Sequence, residues 1–136
     1  MLQGSKISDA RSATAERVPV VEMQLPQSVT VGKIDAATYT ITSAVVEPRN
    51  AESFTLALQV RMRNSGSYQA NFWDRSFRLV THDSVIAASS GLNALVEGRS
   101  DSAVERVLFV VPRGSVPRGL TIEFAGESTE VSLRLR

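Results

Sequence analysis

The chain has no cysteine, which excludes disulfides, thiolate nucleophiles and cysteine-ligated metal sites. It has one histidine, so any base-assisted hydrolysis would depend on His82 alone. No run approaches the roughly 20 apolar residues that a membrane-spanning helix requires. No Gly-rich loop leads from a strand into a helix, which removes the phosphate cradle of nucleotide-binding folds. Aromatic residues make up only 6% of the chain, too few for the interleaved aromatic and basic faces of nucleic-acid readers. Neither sign of charge prevails: 15 basic residues face 14 acidic ones, and the net charge of +1 gives no push toward nucleic acid or an anionic membrane. The opening segment "MLQGSKISDARSATAERVP" lacks the apolar stretch of a secretory signal.

What remains is a chain of 136 residues, 43% of them hydrophobic, long enough for one domain with a substantial core. Residues 1–17 are small, polar and charged; they read as a flexible tail or linker, with at most a frayed helical turn near "DARSATAER". The domain proper is expected over residues 18–136. "VPVVEMQL" (Val18 to Leu25) is an edge strand at best, because Pro19 cannot donate to a ladder.

From Val29 the pattern is β. In "VTVGKIDAATYTITSAVVEP", Tyr39, Ile41 and Val45 are expected on one face, with Thr38, Thr40 and Thr42 on the other. "FTLALQVRMRN" alternates most cleanly, with Phe54, Leu56, Leu58, Val60 and Met62 inward and Thr55, Gln59, Arg61 and Arg63 outward. Asn64-Ser65-Gly66-Ser67 is turn chemistry, with Gly66 free to take positive φ. "SFRLVT" and "VIAAS" flank a corner at His82-Asp83-Ser84, and "GLNALVEGRSDS" reads as a loop of small residues. "AVERVLFVV" ends in five residues apolar on both faces, which predicts a central strand. "LTIEF" and "VSLRL" form the last pair, with Gly126-Glu127-Ser128 as the turn. Seven to nine short strands without a long helix predict an antiparallel β-sandwich, with a small closed barrel as the competing architecture. "VPRGSVPRG" (Val111 to Gly119) reads as a loop of two successive Pro-Arg-Gly turns between two strands, and it resembles a thrombin cleavage sequence.

The order of these segments resembles the bacterial extracytoplasmic immunoglobulin-like domains of uncharacterised function, which stand behind a lipoprotein signal or a membrane helix. The resemblance rests on "LALQVRMRNSGS" closed by Asn64, on "SFRLVTHDSVI", and above all on the Gly98 turn followed by Leu108-Phe109-Val110-Val111-Pro112. It implies an immunoglobulin-like sandwich, an extracytoplasmic place, a protein partner or self-association, and no reaction or cofactor. No lipid-modifiable cysteine precedes the domain.

Candidate sites follow from single residue types. His82 with Asp83 lies in "THDS", a corner that favours Asp and Ser for turn geometry, and no serine sits in a nucleophile-elbow context. A small hydrolase using His82 is therefore the weakest of three functional expectations. Asp74, Asp83, Glu97 and Asp101 are spread over loops without calcium-loop spacing and read as solvated acids, so no metal is expected. Arg61 and Arg63 share an outer strand face, and Arg75 and Arg78 flank the next strand. If those two strands pair, their guanidinium groups would line one face suited to a carboxylate or phosphate, the second functional expectation. Trp73 in "NFWD" is expected either as core packing or a lid over one end of the sandwich, or as an exposed hot spot beside Arg75. The leading expectation is a non-catalytic interaction module with its surface among Arg61, Arg63, Trp73, Arg75 and Arg78.

Overall fold

A computed structural model describes residues 18–136. The expected tail, residues 1–17, lies outside the described residues. In chain order the strands are β1 (Val21–Glu22), β2 (Gln27–Val31), β3 (Ala37–Pro48), β4 (Ser53–Asn64) and β5 (Ala70–Trp73). A 3₁₀ turn, Asp74–Ser76, leads into β6 (Phe77–Thr81), β7 (Val85–Ala87), β8 (Asn93–Val96) and β9 (Ser100–Asp101). β10 (Glu105–Pro112), β11 (Pro117–Phe124), β12 (Glu127–Ser132) and β13 (Arg134–Leu135) complete the described chain. Thirteen strands exceed the expected seven to nine, because β1, β9 and β13 are two-residue bridges and β5 and β8 have only four residues each, too short to show a period.

All pairings are antiparallel. A five-stranded sheet has the order β10-β4-β3-β2, with β9 added to the far end of β4. A four-stranded sheet has the order β12-β11-β6-β7, and two ribbons, β5-β8 and β1-β13, stand beside them. Inward residues of both larger sheets meet in one cluster that includes Ile41, Leu56, Leu58, Val60, Phe109, Leu79, Leu120 and Ile122. At its centre Tyr39 of β3 meets Phe77 of β6 edge-on, with ring centroids 5.3 Å apart, and Phe72 of β5 lies 6.0 Å from Tyr39. Such offset aromatic contacts add to the area they bury.

β4 follows its alternation: Leu56, Leu58, Val60 and Met62 are fully buried, and Gln59, Arg61 and Arg63 are exposed. β3 does not. Its register against β4 slips between Ile41 and Ser43, leaving Thr42 as an extra residue in a bulge. Parity inverts beyond that point, so Ala44 and Val46 pack against the core and Val45 is exposed, contrary to the expectation for Val45. A second correction concerns β10, which lies at a sheet edge rather than in the centre. Its two-sided apolar pattern has another cause. Ser89 N–H donates to the Leu108 carbonyl at 2.9 Å, and Leu108 N–H donates to Ser90 Oγ at 3.4 Å, so the segment after β7 covers that edge. On the opposite side β12 lies beside β2.

Two glycines act differently from expectation. Gly66 does not take positive φ; a Cβ there would stand 3.0 Å from the Asp35 Cβ, so close approach explains it. The last hairpin turns at Ala125-Gly126, both at positive φ, one residue earlier than expected. The fold has two poles along its strands. Phe54 and Asn64 stand at opposite ends of β4, roughly 33 Å apart at the usual rise per residue. At the Phe54 pole, Val20 and Arg136 exchange backbone hydrogen bonds of 2.9 and 2.8 Å, which sets the two ends of the described chain side by side.

Candidate interaction surface

The five residues singled out in the sequence fall in three places. Arg61 and Arg63 stand on the outer face of the five-stranded sheet, and Arg78 stands on β6 of the other sheet. β4 and β6 do not pair, so the shared guanidinium face lacks its premise. Arg63 meets Asp101 of β9 at 3.3 Å, and Arg78 meets Glu123 of β11 at 3.6 Å. Both pairs are half exposed, a setting in which ion pairs contribute little. Arg61 faces a hydroxyl row instead, where Ser28 bonds Thr40 at 2.8 Å and Thr30 bonds Thr38 at 2.9 Å.

Trp73 and Arg75 belong to the third place, the pole where β4 ends. β5 alternates so that Phe72 is fully buried and Trp73 is 40% exposed. The core reading of Trp73 is thus replaced by Phe72, whose ring packs against both Tyr39 and Phe77. The Arg75 guanidinium lies 5.2 Å from the Trp73 ring centroid, a cation–π contact that braces the indole. Across the ribbon, Asn71 donates to Asn93 Oδ1 at 2.7 Å, and Gln69 donates to Glu97 at 2.5 Å. The outer face of β5-β8 is therefore a set of side chains already held in place.

Buried polar groups fix this pole. Asn64 is 1% exposed; its amide nitrogen donates to the carbonyls of Tyr68 at 2.7 Å and Val96 at 3.1 Å, while its Oδ1 accepts from Gly66 N–H at 2.9 Å. Asp74, expected as a solvated loop acid, is buried, and its carboxylate accepts from Gly91 N–H at 2.7 Å and Ser90 Oγ at 3.3 Å. Its two-residue distance from Phe72 carries it back toward the interior, where a carboxylate persists only with such donors. At Gly98 a Cβ would overlap the Ser67 carbonyl oxygen and stand 2.6 Å from its carbon, so only glycine lets the loop after β8 pass the 65–68 corner.

Between these elements runs a groove. One cavity of about 450 Å³ is lined by Trp73, Asn71, Ser76, Glu123 and Phe124 among others. A second, of about 250 Å³, is lined by Tyr68, Ile34, Asp35 and Asn64, and the two share Gln69, Ala70, Phe124 and Ala125. They form one continuous depression whose rim carries Tyr68, 83% exposed, and Ile34, 85% exposed. Sequence reasoning did not find it, since its lining comes from four separate turns and ribbons; the outward parity of Trp73 was the one signal.

The other features are less promising. His82 is exposed at its corner, with Nε2 3.7 Å from the Asp83 carboxylate, while Thr81 and Ser84 bond each other through their hydroxyls at 2.9 Å. That is turn geometry rather than a nucleophile held by a base. A cavity of about 440 Å³ at the opposite pole is lined by Phe54, Val116, Arg113 and Arg136. Both arginines are engaged there, Arg113 with the Asn50 carbonyl at 3.2 Å and Arg136 with Glu22 at 3.6 Å. Among the described residues no cluster of three or more potential metal ligands occurs, and no helix is long and apolar enough to cross a membrane.

No family model matches the chain, and no curated protein matches it. Among solved structures it is similar to a putative lipoprotein (YcdA) from Bacillus subtilis, with a TM-score of 0.58 over 77% of this chain and 17% identity. The chain spans 38% of that protein's length. It is also similar to a functionally unknown protein from Listeria monocytogenes, with a TM-score of 0.57 and 9% identity, over 88% of this chain and 90% of that one. At these identities the likeness is one of fold, an antiparallel all-β arrangement shared with two bacterial proteins.

Proposed function

We propose that the chain is a non-catalytic immunoglobulin-like β-sandwich module of the bacterial cell envelope, and that it binds its partner through the groove at the Asn64 pole. The observation supporting this most is the placement of the exposed aromatics. Trp73 and Tyr68 flank a continuous depression, where burying each ring would contribute more than any other exposed side chain. The fold's likeness to a putative lipoprotein supports the extracytoplasmic placement. Strand addition, the other route to a partner, has less to work with, since Ser89 and Ser90 cover the β10 edge and β12 flanks β2. Binding of an anion across a joint arginine face loses its basis with the separation of β4 and β6.

Immobilised protein exposed to envelope extract tests the reading, with captured protein and captured sugar both assayed. Material retained by wild type and by Arg61→Ala/Arg78→Ala, and lost with Trp73→Ala/Tyr68→Ala, is the expected result. Equal retention by the aromatic double variant would move binding away from the groove.

A further inference from the structure

The chemistry of the groove narrows what it can hold. This inference rests on the reading above, that the groove is the binding site, and names the class of ligand. Neither lysine nor arginine lines either cavity, whereas Asp35 and Glu123 do. An anionic ligand would bring its charge against Asp35, which forms no ion pair among the described residues, while Glu123 is already met by Arg78 at 3.6 Å. A proline-rich peptide, the usual occupant of aromatic grooves, is a poor match for another reason. Its carbonyls could accept from the Asn71 and Gln69 amides, but its prolines have no N–H to offer Asp35 and Glu123, which are acceptors only.

A sugar hydroxyl donates and accepts at once, so it can satisfy a carboxylate and a side-chain amide alike. The C–H faces of a pyranose ring also pack well on flat aromatic surfaces. The groove offers both elements: aromatic area at Trp73 and Tyr68, and amides at Asn71 and Gln69 between them. The amides and the indole are held by neighbours, Asn93, Glu97 and Arg75, so little side-chain freedom remains to be lost on binding. We propose that the groove binds a neutral glycan chain, with Trp73 and Tyr68 as stacking platforms and Asn71 and Gln69 as hydroxyl partners. Two joined cavities of about 450 and 250 Å³, open to solvent, suit successive rings of a polymer better than one monosaccharide.

Trp73 is the only tryptophan of the chain, so its emission reports directly on the groove. The full chain is titrated with the hexamers of glucose, xylose, mannose and N-acetylglucosamine in β-1,4 linkage, and separately with heparin and decaproline. The expected result is a saturable change with at least one neutral hexamer and none with heparin. Tyr68→Ala and Asn71→Ala, both at exposed positions, should each weaken that binding about tenfold, the value of one good stacking or hydrogen-bonding contact. Silence from all four hexamers overturns the glycan assignment, as does binding that both variants leave unchanged. A change with decaproline alone overturns it too, yet leaves the groove as the binding site. Failure of the broader reading is read separately, from envelope material retained equally by wild type and Trp73→Ala/Tyr68→Ala.

Discussion

The Tyr39 hydroxyl is buried in the core without a hydrogen-bond partner among the described residues. Burial pushes its phenol well above the ordinary tyrosine value; the Ser76 hydroxyl is near enough to oppose part of the rise but does not reach hydrogen-bonding geometry with it. A buried, unpaired hydroxyl is unfavourable, and phenylalanine of the same shape removes it while keeping the contacts with Phe72 and Phe77. Tyr39→Phe is therefore expected to raise stability by about 1 kcal/mol in urea denaturation at neutral pH. The pH dependence has a definite sign. The folded pKa lies above the unfolded value of about 10, so the unfolded chain loses its proton first and stability falls as pH rises past that value. The variant lacks this contribution, and its advantage should widen above pH 10; an advantage that narrows there would contradict the assignment.

Among elements, the hairpin between β10 and β11 gives a test in which sequence is held constant. The tetrapeptide Val-Pro-Arg-Gly occurs twice, at Val111–Gly114 and Val116–Gly119. Arg113-Gly114 forms the turn, with Gly114 at positive φ and exposed, whereas Arg118-Gly119 lies within β11 between β6 and β12. Proteases need a locally extended, unpaired segment. Thrombin is expected to cut after Arg113 about tenfold faster or more than after Arg118, as mass spectrometry of timed digests would measure. Comparable rates at both sites would mean that β11 opens as readily as the turn. The same scale explains what could be read beforehand. β4 was legible because Phe54 to Arg63 alternate with only Ala57 out of pattern, and the Pro48 and Pro112 strand ends because proline stops a ladder. The bulge at Thr42 was not, since Thr-Ile-Thr-Ser alternates equally well in either register and only packing against β4 selects one. β5 and β8 were read as corner and loop, because four-residue strands hold barely two periods. The groove, lined by β5 and by the turns around Asp35, Gly66 and Ala125, was hidden with them.

For the whole molecule, the β5-β8 ribbon is bound to the rest through Phe72 and Val96, which belong to the same core cluster as the two larger sheets. Unfolding should accordingly be one cooperative transition. Trp73 emission reads the ribbon and far-UV circular dichroism reads the sheets, so their urea midpoints are expected to coincide. An earlier midpoint for Trp73 would make the ribbon a separate unit. The polarity of the strands has a further consequence. Both ends of the described chain leave from the pole of Phe54, and the groove opens at the pole of Asn64. The described chain therefore begins and ends on one side, like the handle of a spoon, rather than at opposite ends like the thread through a bead. Whatever the groove holds would sit a strand's length from the place where the described chain enters and leaves the domain.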